Sequence, residues 1–166
     1  MIYLDNAATS FPKPPSVIRA MTESLQNHGA NPGRGGHRLA LEAGRIVEKC
    51  RESAAFFFGA ASPEQVIFTR NCTESLNIAI SGMLHKGDEV ICSHGEHNAV
   101  MRTLERYVSR GDITVKLLRP DGDGLIAPDT MRRAISGKTG LVVLCHASNV
   151  TGVIQPVREL GAICRE

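Results

Sequence analysis

The sequence predicts an α/β fold with a largely parallel sheet, on three observations. From Val66 onward, short apolar runs alternate with helical periods, the pattern of βαβ units. Residues 141–145 (Leu-Val-Val-Leu-Cys) are apolar throughout, as suits a strand covered on both faces. Most glycines and prolines after Val66 fall between these runs, where turns must lie.

The elements follow in order. Residues 1–13 read as a short apolar strand or arm. Pro14 and Pro15 suit a helix start, and Val17, Ile18, Met21 and Leu25 recur at helical spacing to about residue 28. Residues 29–36 (GANPGRGG) are a turn-rich loop. A helix over 38–58 carries Leu39, Ala43, Ile46, Val47, Cys50, Ala54 and Phe57 on one face, and Gly59 suits its C-cap. Then come a strand at 66–68, a helix at 72–84 and a strand at 89–92. A helix at 97–109, a strand at 113–118 and a helix at 127–136 follow. The strand at 141–145 and a helix over 157–164 finish the chain. That last helix has no strand after it, whereas an α/β layer returns its helices to the sheet. The expectation is therefore a domain cut short.

Composition excludes several classes. There are 19 basic and 17 acidic residues, a formal net charge of +2, too balanced for a nucleic-acid footprint. Trp is absent and aromatics make up 4% of the chain, which argues against a base-stacking surface. No apolar run approaches the roughly 20 residues of a membrane span. The opening lacks a charged segment followed by an apolar one. The five cysteines, Cys50, Cys72, Cys92, Cys145 and Cys164, form no CxxC pair. Reduced thiols in a cytoplasmic protein are the expectation.

Three polar segments follow predicted strands. Thr69-Arg70-Asn71-Cys72-Thr73-Glu74-Ser75 opens a helix. Unpaired N–H groups and the positive dipole end make such a place an anion site, and the Thr73 hydroxyl adds a donor. The same residues also fit a capping box, with Asn71 as N-cap and Glu74 three residues on. Both can hold at once. His94-Gly95-Glu96-His97 follows the next strand. A histidine there can stack on an aromatic ring or move protons near neutral pH, or be an ordinary surface residue. HxEH lacks the HExxH form and an evident third ligand, so no metal is expected. His146-Ala147-Ser148-Asn149 follows the third strand. Asn149 could donate to a ligand oxygen or close an Asx-turn. Together these junctions suggest one crevice at the carboxyl edge of the sheet. Gly137-Lys138-Thr139 and Gly33-Arg34-Gly35-Gly36 are decoys: neither has the spacing or strand context of a nucleotide loop.

In this order the segments resemble the cysteine desulfurases of the class V aminotransferase family. Tyr3-Leu4-Asp5-Asn6-Ala7-Ala8-Thr9 resembles the family's YLDNAAT opening, and residues 31–37 its NP-x-x-x-x-H loop. Thr73-Glu74-Ser75 is similar to the TE[SA] phosphate loop, Glu96-His97-Asn98-Ala99 to EH-x-A, and residues 148–152 to SN-x-x-G. The resemblance spans essentially all 166 residues. It implies an incomplete large domain of the aspartate-aminotransferase-like fold over residues 14–166, with residues 1–13 as an arm on the small-domain side.

The resemblance also implies pyridoxal 5′-phosphate (PLP) as cofactor, L-cysteine as substrate, a homodimer and a sulfur-acceptor protein. The backbone at Cys72 and Thr73, with the Thr73 hydroxyl, would hold the phosphate. His97 would stack on the pyridine ring and assist proton transfer. Asn149 would meet the ring's phenolic oxygen or the substrate carboxylate, and Ala7 and Ala8 would line the substrate pocket. Cys72 departs from the small Ala or Gly usual there, and is not the family's persulfide cysteine. The lysine that attaches the cofactor, the aspartate for the pyridinium nitrogen, the substrate arginine and the persulfide cysteine match nothing here. Lys13, Lys49, Lys86, Lys116 and Lys138 all lie outside the lysine motif. The chain alone is therefore expected to be inactive. Selenocysteine lyases and other class V aminotransferases remain alternatives, as does a non-catalytic phosphate-binding or interaction domain.

Overall fold

A computed structural model describes residues 2–166. The chain forms two compact units, residues 2–68 and Thr69–Glu166.

The first unit is helical: α1 (Pro15–Asn27), α2 (Arg38–Phe58) and a 3-10 turn at Pro63–Gln65. Pro15 starts α1, where its missing N–H costs nothing. His37 caps α2 by accepting from the Ala40 N–H, and Gly59 ends it at φ 68°, the left-handed conformation of a helix C-cap. Residues 2–13 form no strand, with a turn at 6–8 and a bend at 11–12. Tyr3 donates its hydroxyl proton to the Asp5 and Thr9 carbonyls, and the Asn6 carboxamide accepts from the Phe11 N–H. These local bonds occupy several of the backbone groups that a strand would give to a neighbour. Residues 66–68 are extended but unpaired as well. The Arg51 guanidinium bonds the Val66 carbonyl and lies 5.1 Å from the Phe68 ring centroid. A side chain thus occupies a carbonyl that a ladder would use. On α2 the predicted apolar stripe exists, but only Ala40, Ala43 and Ala55 are buried, while Phe57 is 79% exposed. A unit of two helices has too little interior to cover the rest.

The second unit alternates as predicted: α3 (Cys72–Met83), β1 (Glu89–Ser93), α4 (Asn98–Val108), β2 (Thr114–Leu118), α5 (Pro128–Ala134), β3 (Thr139–Val143) and α6 (Val157–Ile163). The strands are parallel in the order β2-β1-β3. Val90 pairs with Val115 on one side and Leu141 on the other. Central β1 is buried on both faces. Ile91 packs with Leu118, Ile126, Met131 and Leu160, under α5 and α6. Val90 and Cys92 pack with Ile80, Val100, Leu104 and Ile113, under α3 and α4. Burial, reinforced by the nearby Glu96 carboxylate, pushes the Cys92 thiol up to about 11, so it is an inert core group.

The amino edge of the sheet is tied by Glu89. Its Oε1 accepts from Lys116 Nζ at 3.2 Å and from the Ser136 and Thr139 hydroxyls at 3.1 Å each. Lys116 also donates to the Ala134 carbonyl at 2.7 Å. Close by, Gly140 leaves room for Asp88: a Cβ at position 140 would stand 2.5 Å from its carboxylate. Partial burial alone would raise the Glu89 carboxyl, but the bonds from Lys116, Ser136 and Thr139 and the Lys116 charge hold it below its ordinary value. A depressed folded-state pKa stabilises above the unfolded value and ceases to do so as pH falls through the folded one. The advantage of the wild type over Glu89→Gln is therefore expected in full above about pH 4.3 and should shrink below it. Urea midpoints across pH 2–7 (a range of roughly five units) check this; a difference that grew on acidification would contradict it.

Candidate functional site

The strand order reverses at β1. The chain leaves β1 towards β2, then crosses back to β3 on the far side. In open α/β sheets ligands collect at such a switch point, beyond the carboxyl ends of the strands. A cavity of about 290 Å³ lies there, close to the smaller ligand pockets. Its walls include Cys72, Thr73 and Leu76 from α3, Glu96 and His97 from the β1–α4 junction, and Cys145 beyond β3. No lining residue is a lysine.

One wall is the start of α3. Asn71 is the N-cap, accepting from the Glu74 N–H at 2.9 Å. Glu74 reaches back to the Arg70 N–H at 2.8 Å and to the Arg70 guanidinium at 3.0 Å. These bonds from Arg70 hold the Glu74 carboxyl below its usual range. The capping box is real, although Glu74 bonds one residue before the cap. It uses the N–H of Glu74, and among the described residues no acceptor reaches those of Cys72 and Thr73. The first turn keeps two donors at the positive end of the helix dipole.

His97 lines the cavity as well. It is the N-cap of α4, and its Nδ1 accepts from the Ala99 N–H at 3.0 Å. An accepting Nδ1 puts the neutral ring's proton on Nε2. That bond lies in the ring plane, so it uses neither face of the imidazole. The two helix starts are pinned together. Thr103, 3% exposed, places its hydroxyl 2.7 Å from the Ala99 carbonyl and 2.9 Å from Asn77 Oδ1. Asn77 in turn donates to the Thr73 carbonyl at 2.8 Å. On the outer side of this pair a second hollow of about 400 Å³ is lined by Thr73, Asn77, His97, Arg102 and Arg106. Arg102 and Arg106 make that hollow basic.

The predicted residues divide accordingly. Cys72, Thr73 and His97 share one cavity. Asn149 is exposed on the 148–152 turn, outside that wall. The turn is closed by Ser148, whose hydroxyl accepts from the Val150 and Thr151 N–H groups at 3.2 Å each, and not by an Asx-turn of Asn149. Ala7 and Ala8 lie on an exposed turn of the first unit. Sequence reading missed the roles of Asn77, Thr103 and Glu96. For Asn77 and Thr103 the available signal was a polar side chain inside a helix beside apolar residues (Leu76 and Ile78, Leu104), whereas Glu96 stands in the β1–α4 loop, where no such pattern marks it.

The cavity suits a phosphorylated aromatic cofactor. A helix start with two unpaired N–H groups, the Thr73 side chain and the His97 imidazole line it together, and Leu76, Val100 and Val143 supply an apolar lining. Among the described residues no group of three or more His, Cys, Asp or Glu side chains could hold a metal ion. No described helix is long and apolar enough to cross a membrane.

Comparison with known proteins identifies the family and the fold. The family model described as "Aminotransferase class-V" matches residues 2–166. A protein of Methanothermobacter thermautotrophicus named "Probable cysteine desulfurase" is 37% identical over 99% of this chain and 41% of its own length. An apo cysteine desulfurase structure from Thermococcus onnurineus NA1 superposes with a TM-score of 0.90 at 33% identity, over 99% of this chain and 41% of that one. The structure described as "SspA in complex with cysteine" gives 0.87 at 31% identity, over 99% and 48%. The chain thus spans about 41% of the length of the first of these relatives.

Proposed function

Because the chain belongs to the aminotransferase class-V family, we propose that it forms the phosphate-holding and ring-stacking part of a PLP-dependent cysteine desulfurase. Support comes from one juxtaposition: the open start of α3 at Cys72 and Thr73 shares a cavity with the His97 ring. PLP, when bound, supplies the electron sink for cleavage at an amino acid's β-carbon.

The protein's own residues take the following parts. The Cys72 and Thr73 N–H groups and the Thr73 hydroxyl bind the phosphate, where helix dipole and donors act together. His97 lays a ring face on the pyridine, held in orientation by its bond to the Ala99 N–H. Its Nε2, not used by the helix cap, is the nitrogen available for proton transfer. By the family resemblance, Asn149, exposed on its turn outside the cavity lining, would meet the phenolic oxygen or the substrate carboxylate, and Ala7 and Ala8 would face the substrate. In this assignment residues 1–13 are an arm on the small-domain side and residues 14–166 belong to the cofactor domain. L-cysteine is the proposed substrate, in keeping with relatives named cysteine desulfurase and with the cysteine in the SspA structure. A homodimer in the cytoplasm that hands sulfur to an acceptor protein completes the proposal.

Calorimetric titration with PLP and with inorganic phosphate tests it. A site that reads both ring and phosphate binds PLP at least about tenfold tighter, a gain of roughly 1.4 kcal/mol from the ring. Equal weak affinity for the two ligands would leave only an anion site and overturn the proposal.

A further inference from the structure

We propose that Glu96 is a positioning residue that clamps the end of β3 to the loop carrying His97. Its Oε1 accepts from the Ser93 hydroxyl at 2.6 Å and from the Cys145 N–H at 2.8 Å. Ser93 ends β1 and is 7% exposed. Cys145 lies two residues past the end of β3, and the β1–β3 ladder stops at Cys92 and Val143. One carboxylate oxygen therefore takes over where the sheet's own hydrogen bonds end. It joins the tips of two adjacent strands at the point where the strand order reverses.

The clamp has a direct bearing on the cavity. Glu96, His97, Val143, Leu144 and Cys145 all line it. His97 follows Glu96 in the chain, and Leu144 and Cys145 line the same cavity from beyond β3. The Glu96 bond therefore sets the separation of the wall that holds the imidazole from the wall beyond β3. The strand propensity of residues 141–145 would carry the ladder further. Instead the Cys145 N–H turns to Glu96, and β3 closes at Val143.

Both donors are neutral, so the clamp needs an oxygen at the right reach and not a charge. That separates three substitutions. Glu96→Ala removes the acceptor and leaves a buried hydroxyl and an N–H unpaired. Glu96→Asp keeps the charge but is one methylene short. Glu96→Gln keeps an oxygen at full reach.

This inference rests on the PLP reading for its functional consequence but not for its structural test. Amide hydrogen exchange of the ligand-free protein, resolved by NMR, reads the clamp itself. The Cys145 amide is expected to exchange at least about tenfold faster in Glu96→Ala and Glu96→Asp, with Glu96→Gln within about threefold of wild type. Calorimetry with PLP is expected to show the same order: at least about tenfold weaker for Ala and Asp, rescued by Gln. Unchanged Cys145 exchange in Glu96→Ala overturns the clamp. So does rescue by Asp but not Gln, which would make charge the operative property. If Ala fails to fold, the Asp and Gln pair decides. If wild type does not bind PLP, the cofactor reading fails while the exchange rates still judge the clamp.

Discussion

Replacing Ile91 with alanine is expected to cost the second unit about 2–5 kcal/mol of stability. Ile91 is 0% exposed at the centre of β1, the strand with neighbours on both sides. Leu118, Ile126, Met131 and Leu160 surround it from β2, the segment before α5, α5 and α6. Alanine removes most of the side chain, and four elements cannot close on the space together, so a cavity term adds to the lost transfer energy. A small unit has only about 5–15 kcal/mol in total, so the loss is a large share of it. Leu117→Ala is the control: Leu117 sits on edge strand β2 and is 43% exposed. Urea denaturation should show the Ile91 variant losing several times as much as the control. Equal losses would mean that β1 is not the centre of the core.

Cys72→Asp should separate folding from binding. Cys72 is the first residue of α3. A carboxylate in the first turn faces the positive end of the dipole and stabilises a helix by about 0.3–1 kcal/mol. The melting temperature should therefore hold or rise slightly. The same carboxylate would face the cofactor phosphate across one cavity, and like-charge juxtaposition costs several kcal/mol. PLP binding is expected to weaken by about 100-fold or more. Cys72→Ala should bind PLP within about threefold of wild type, since the contact belongs to the backbone N–H and not to the thiol. An Asp variant that binds PLP like wild type would place the phosphate elsewhere.

The second unit was largely legible in the sequence, because its periodicities are set by burial on both faces of a sheet. Strand β1 and helices α3 and α4 fall within a residue or two of where the pattern places them. β3 runs Thr139–Val143, two residues earlier at both ends than the apolar run suggests; the Cys145 N–H is bonded to Glu96, and no local pattern reports a bond across 49 positions. Residues 66–68 have strand propensity, but propensity does not supply a partner strand; Arg51 holds the Val66 carbonyl instead. The amphipathic stripes of α1 and α2 were legible too, yet a stripe says which face is apolar and not what covers it.

The site was legible in part for the same reason. Thr73 and His97 belong to short motifs at helix starts, where capping chemistry and ligand chemistry use the same residue types. What brings them together, the Thr103–Asn77–Thr73 connection, joins positions 26 apart through side chains of unremarkable type. Asn149 lies within a motif as well, but its turn is organised by Ser148.

The most direct test of the shared cavity is an amide NMR titration of the wild-type protein with PLP. Two helix starts that hold one ligand should respond together: the Cys72 and Thr73 amides and the His97 ring signals should shift along a single binding curve. Shifts confined to one helix, or centred on another surface, would show that the phosphate cradle and the imidazole do not serve the same ligand.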